Sequence, residues 1–197
     1  IALVSQISLD DFGDSINSVA VYEGLVAAVV EGPETDSIGM VVFLDTDGAV
    51  ISSVEAGVLP DMVAFSPDGL FAVVANEGEP SDDYRIDPEG SVTVVDLGDG
   101  AESATSTQVT FDAFNDMMPE GVRVFGPDAT FAQDIEPEYI AISPDSSTAF
   151  VSLQENNAIA VVDIVSATVT DIFALGFKDY SLEANAIDPS NEDGEIN

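Results

Sequence analysis

Between Asn76 and Gly90 the chain reads NEGEPSDDYRIDPEG. Glu77, Glu79, Asp82, Asp83, Asp87 and Glu89 crowd this stretch, and Gly78, Pro80, Pro88 and Gly90 force it to turn, which brings the side chains together. Carboxylates gathered away from water repel one another, and a cation relieves that repulsion. Oxygen donors alone suit hard cations, and calcium takes about six to eight of them in a flexible shell. The stretch therefore reads as a divalent-cation or ligand site built on Glu77, Glu79, Asp82, Asp83 and Asp87. Its spacing is not that of an EF-hand loop, so no ligand order follows. Two plainer readings remain open beside it: a solvated acidic loop, and an ion-pair network around Arg85, one of only 3 basic residues in the chain.

The other basic residues, Arg123 and Lys178, also sit among acids or polar groups. Arg123 is flanked by Glu120, Asp134, Glu136 and Glu138. Its planar fork suits a carboxylate or phosphate, so it either receives an anionic group or locks its segment onto the body of the protein. Glu155, in SLQENNA, stands where a hairpin turns, and Asn156-Asn157 favours positive φ there. A repeat offset places Glu155 at the position equivalent to Glu77 in the adjacent blade, which adds it to the cation set. Lys178, in GFKDYS, pairs with the acidic rim, orients a phosphate or neutralises local charge. Ser181 has no histidine to activate it. Glu31 and Asp36 are acidic neighbours that could join the same rim.

Composition narrows the chemistry further. Asp and Glu number 38 against 3 Lys and Arg, for a formal charge of −35, yet 46% of the 197 residues are hydrophobic. That is not a disordered composition. The self-repulsion of such a surface is screened by salt, so a high-salt, halophilic setting fits it. With no basic patch, nucleic acid is excluded as a partner and anionic membranes are disfavoured. No apolar run is long enough to span a bilayer. The chain has no Cys, His or Trp. Disulfides, thiolate and imidazole metal sites and the Ser-His-Asp triad are therefore excluded within it.

The elements that must position these residues are strands. Three segments are alike: Asn17–Glu31, Pro60–Gly78 and Pro137–Asn156. Each is a strand, a turn and a second strand, with SPDG at 66–69 and SPDS at 143–146 as hairpin signals. A further strand ends each time in Asp, at Asp45, Asp96 and Asp163, and another follows. Four strands per unit is the arithmetic of a propeller blade. The expected fold is all-β: a partial β-propeller (1–197) of four-stranded, YVTN/WD40-like blades. The chain forms about three blades of a larger ring, with an acidic loop at 76–90 and an insertion at 101–136. A short helix is expected within 110–122, with Phe111, Phe114 and Met118 on one face and Pro119 ending it. Phe12, Phe43, Phe65, Phe71 and Phe150 are expected to pack. The polar end, IDPSNEDGEIN, offers no closing strand, so the rest of the ring is assigned to more of the same chain or to a second chain.

The runs LPDMVAFSPDGLFAVVANEGEPSDDYRIDPEGSV, PEGVRVFGP, DIEPEYIAISPDSSTAFVSLQENNAIAVVDI and LGFKDYS together resemble the choice-of-anchor I family of secreted or surface-anchored propeller proteins. Its relatives include the mesenchyme-specific cell surface glycoprotein group, and some members are alkaline-phosphatase-like. The resemblance implies an extracellular or cell-surface location. It leaves two functions open: a structural or interaction module stabilised by Ca2+ or another divalent cation, and a metal-dependent phosphoester hydrolase. A quinone-dependent dehydrogenase scaffold is a weaker third. Where the family often has histidine in the last motif, this chain has Tyr180, which counts against the enzyme.

Overall fold

The structure, a computed structural model, describes residues 5–187. Three antiparallel sheets of four strands follow one another along the chain. The first holds β1 (Ser15–Tyr22), β2 (Leu25–Glu31), β3 (Ile38–Asp45) and β4 (Val50–Val58). The second holds β5 (Pro60–Phe65), β6 (Phe71–Asn76), β7 (Ser91–Asp96) and β8 (Thr105–Thr110). The third holds β9 (Pro137–Ile142), β10 (Thr148–Leu153), β11 (Ala158–Asp163) and β12 (Thr168–Ala174). Within each sheet the strands pair in chain order, which is the up-and-down order of a propeller blade. The described residues form an arc of such blades without a closed ring.

The turn chemistry is local. In the β5–β6 turn the Ser66 hydroxyl donates to Asp68 Oδ1 at 2.6 Å, and Asp68 Oδ1 also accepts from the Leu70 amide at 3.1 Å. Gly69 sits at φ 72° there, and in the third sheet Ser146 takes the same place at φ 62°. The aspartates that end β3, β7 and β11 each accept from the turn that follows: Asp45 from Ala49 N, Asp96 from Gly98 N, Asp163 from Ser166 N, all at 2.8 Å. Neighbouring first hairpins are tied turn to turn. Tyr22 Oη donates to the Pro67 carbonyl at 3.2 Å, and the Asp68 amide donates to Ser146 Oγ at 3.1 Å.

The sheets stack face to face. Strand β6 is buried on both sides: Ala72 and Val74 face Ala27, Val29, Val41 and Phe43 of the first sheet. Val73 and Ala75 face the third sheet, where Ala149, Val151 and Leu153 meet them. A strand covered on both faces reads as an unbroken apolar run, and FAVVAN is one. Each such fully buried Val or Leu contributes about 1.5–3 kcal/mol. The two outer faces of the arc differ. Leu9 and Phe12 fold over Ala28, Val30, Val42 and Leu44 on the first sheet. On the far side of the third sheet Phe150, Phe173 and Tyr139 stand 43%, 53% and 67% exposed. Phe150, expected to pack, is therefore on an open face.

First strands β1, β5 and β9 lie side by side along the inside of the arc. All three carry a bulge near their start, at Ile16/Ser18 in β1, at Pro60/Met62 in β5 and opposite Ser152 in β9. A bulge re-aims the extra side chain. The bulges fall at Asn17, at Asp61 and at the Glu138-Tyr139 step.

The insertion differs from its expected form. Residues 105–110 are the fourth strand of the second sheet, so the true excursion runs from Phe111 to Glu136. The expected helix is only a 3-10 turn at Asp112–Phe114, and the α-helix, α1, is Phe131–Asp134. Phe111 is buried and Phe114 packs on the core, but Met118 is exposed. A further turn follows, with Met117 N donating to the Phe114 carbonyl at 3.1 Å, but no α-helix forms there. Thr130 and Gln133 close a capping box on α1. The segment is fixed by Asn156, fully buried, whose amide nitrogen donates to the Asp134 carbonyl at 2.6 Å, to Asp134 Oδ2 at 2.9 Å and to the Arg123 carbonyl at 3.1 Å. Its oxygen accepts from Glu136 N at 3.1 Å. The polar end expected to lack a closing strand lies, after Ile187, outside the described residues.

Asn156→Ala strips partners from a buried amide and carboxylate at once. It is expected to cost about 3 kcal/mol in a denaturant titration at high salt, whereas the exposed Asp82→Ala is expected to stay within about 0.5 kcal/mol.

Candidate functional site

In an up-and-down sheet the second-to-third connection and the link to the next sheet leave from the same end. This puts the β2–β3 link (32–37), the acidic β6–β7 loop (77–90), the β10–β11 turn (154–157) and the 111–136 excursion on one face of the arc. The face carries two acidic features.

The first is a cleft of about 640 Å³ between the β2–β3 link and the acidic loop, lined by Asp14, Glu31, Glu34, Glu79, Asp82 and Asp83 over Leu59. Glu31 is held there by Asn17 Nδ2 at 3.1 Å. Asp36 does not line it. The loop tip closes on itself: Ser81 N donates to the Ile86 carbonyl at 2.8 Å, and Ser81 Oγ to Asp83 Oδ1 at 3.1 Å. Tyr84 takes a positive φ of 53° at the turn. Arg85 reaches Asp83 at 3.2 Å, with both side chains largely in solvent. Such an exposed pair contributes little.

The second feature is a seam between the second and third sheets. Burial pushes the Glu77 carboxyl up to about 8, and Asp61, Glu79, Glu138 and Glu136 push it in the same direction. Burial likewise raises Glu136 to about 7, helped by Glu155, Glu79, Asp134 and Glu138. Glu138 is raised by burial and by Glu155 and Asp61, and Asp61 by burial. Glu136 is only 7% exposed, and among the described residues its carboxylate accepts no hydrogen bond. Glu155 Oε2 is buried with no partner. Gln154 Nε2 donates to Glu138 Oε1 at 3.3 Å, which turns that carboxylate toward the β10–β11 turn.

The residues singled out from sequence thus separate. Glu77, Glu138 and Glu155 meet in the seam, with Glu79 acting on both features. Asp82 and Asp83 belong to the cleft and loop tip. Asp87 lies beside α1, where its carbonyl accepts from Gln133 at 3.0 Å, and burial, with help from Asp134, raises its carboxyl. Arg123 makes no ion pair among the described residues. Its Nε donates to the Glu155 carbonyl at 2.6 Å, its amide to the Asn156 carbonyl at 2.9 Å, and its head lies over Phe125 at 5.7 Å. These contacts fasten the excursion onto the β10–β11 turn. Lys178 lies over the Tyr180 ring at 5.6 Å, and Ser181 donates to Asp179 at 2.6 Å.

The repeat offset needs one correction. Asn76 pairs with Pro60 as Leu153 pairs with Pro137, so Gln154, not Glu155, is the counterpart of Glu77. The same pairing makes Asp61 the counterpart of Glu138, a correspondence that the repeats themselves contain. Sequence offers Glu136 and Asp134 only as neighbours of Arg123. Among the described residues no three acidic side chains converge closely enough to form a metal cage of their own.

The sequence matches the choice-of-anchor I domain over residues 2–197, and the chain belongs to that family. None of the curated proteins matches it significantly. Solved structures share the fold at low identity. Hydrazine synthase of Kuenenia stuttgartiensis is 14% identical with a TM-score of 0.50, over 75% of this chain and 39% of that one. A eukaryotic initiation factor is 14% identical with a TM-score of 0.52, over 84% and 33%. A functionally unknown protein of Desulfotomaculum acetoxidans is 13% identical with a TM-score of 0.52, over 82% and 43%. The chain thus spans well under half the length of the structures it matches.

The seam makes stability depend on pH with a definite sign. Glu77 and Glu136 hold protons in the folded state that the unfolded chain releases near the ordinary carboxyl value of 4.5. Folding therefore binds protons, and stability falls as pH rises from about 5 to 8. Melting temperatures across that range at constant high salt are expected to decline for the wild type, and to decline less for Glu77→Gln and for Glu136→Gln.

Proposed function

We propose that this choice-of-anchor I domain is the arc of an extracellular or cell-surface propeller that serves as a structural and interaction module. Its ring is completed by further blades of the same chain or by a second chain, and divalent cations, calcium foremost, stiffen its acidic face. The observation that carries this reading is the open third sheet, whose Phe150, Phe173 and Tyr139 lie exposed on a face built like the buried ones. A propeller blade has a neighbour on each side, and exposed apolar patches of this kind mark association surfaces. The charge of −35 suits a salt-rich exterior.

The same carboxylates could serve a metal-dependent phosphoester hydrolase, with Arg123 or Lys178 on the phosphoryl oxygens. The module reading is preferred because Arg123 is committed to the Glu155 carbonyl and the Phe125 ring, and Lys178 to Tyr180. The quinone-dependent alternative gains no support from any of these residues.

Native mass spectrometry of the protein from its source, in volatile salt, is expected to give a species well above 20.5 kDa, as a longer chain or an assembly. In that species Phe173→Ser is expected to lower the melting temperature by several degrees. A stable monomer of 20.5 kDa that is indifferent to Phe173→Ser rules out the ring. Turnover of a phosphomonoester or diester that depends on added metal would replace the module by the hydrolase.

A further inference from the structure

Glu136 ends the excursion and enters β9, and it is anchored there on both sides. Its amide donates to the buried Asn156, and Pro137, which follows, pairs with Leu153. Its side chain has little freedom to leave. It is more than nine-tenths buried, it accepts no hydrogen bond among the described residues, and the charges that act on it, Glu155, Glu79, Asp134 and Glu138, are all acidic. Across from it, Glu155 leaves one carboxylate oxygen buried and without a partner. The basic group that comes nearest to this turn, Arg123, spends its Nε on the Glu155 main chain and offers the carboxylates no ion pair. Leaving a buried carboxylate oxygen without a donor or counter-charge costs stability, and Glu155 Oε2 is such an atom beside the deeply buried Glu136.

We propose that Glu136 and Glu155 are the protein ligands of a hard divalent cation of calcium's type, held in the seam where the β10–β11 turn meets the end of the 111–136 excursion. This deepens the cation half of the proposed function and rests on it. Two carboxylates supply up to four oxygens when both bind bidentately, and water completes a shell of about six to eight. Glu77, Glu79, Glu138 and Asp61 surround the pair as further negative charge. They raise the attraction for a divalent ion over a monovalent one. The site differs from the acidic loop suggested by sequence. Asp82 and Asp83 lie exposed at the self-closed tip, where Asp83 is paired with Arg85.

The test uses the full protein after chelation, in high sodium chloride, titrated with calcium chloride by calorimetry and followed by its melting temperature. Wild type is expected to bind calcium and to melt higher with it, and an Asp82→Asn/Asp83→Asn variant to do the same. Glu136→Gln and Glu155→Gln are each expected to bind more than about tenfold more weakly and to lose the calcium-dependent shift. In the chelated state at about pH 8, where Glu136 is ionised, Glu136→Gln is expected to melt above wild type, because a neutral amide replaces a charge that burial and acidic neighbours disfavour. That measurement also shows that the variant folds. Calcium binding that survives both glutamine substitutions, or that is lost only in the Asp82/Asp83 variant, overturns this site while leaving the cation reading standing. Absence of any divalent binding to wild type overturns both.

Discussion

A sheet that is apolar on both faces cannot stand alone in water, and this constraint organises the whole chain. Strand β6 is its clearest case, with Ala72 and Val74 turned one way and Val73 and Ala75 the other. Once the second sheet requires a neighbour on each side, the first and third must stack against it. Their own outer faces then inherit the same requirement. The first sheet meets it in part with Leu9 and Phe12. The third leaves Phe150, Phe173 and Tyr139 exposed among the described residues. The positions of the loops, the seam and the excursion all follow from that stacking, because it fixes which strand ends come together.

The same stacking explains how so much acid coexists with a packed core. The strands give their interior positions to Val, Ala and Phe, and nearly all the carboxylates lie at turns and strand ends. Where two sheets converge at the loop face, the bulged first strands turn Asp61 and Glu138 inward beside Glu77, Glu136 and Glu155. Turn aspartates such as Asp68 and Asp145 have the opposite fate. Serine hydroxyls and backbone amides hold their carboxyls below the usual value.

What the sequence made legible was whatever is local or repeated. The SPDG and SPDS turns, the strands ending at Asp45, Asp96 and Asp163, and the four-strand unit all depend on neighbouring residues, and all stand where the pattern places them. The short helix did not. Phe111 and Phe114 found burial without a full turn, and the helix formed instead at Phe131–Asp134, where Thr130 and Gln133 cap it. The seam was half legible. Glu77, Glu138 and Glu155 were marked, but Glu136 gains its character from Asn156 and from a burial that depends on how the excursion folds back. No spacing encodes that. Charge density in the acidic loop drew attention to its tip, which turned out to be the best solvated part of it.

The two faces of the arc carry different contacts. On the turn face, short neutral contacts tie each first hairpin to the next, from Tyr22 to Pro67 and from Asp68 to Ser146. On the loop face, Gly57 N donates to Asn76 Oδ1 at 2.9 Å and Glu77 N to the Leu59 carbonyl at 2.9 Å, so carboxylates gather over a joint that hydrogen bonds already hold. The first and second sheets are thus clamped at both rims, and the acidic charge rests on a fixed frame as a load rather than as a spacer.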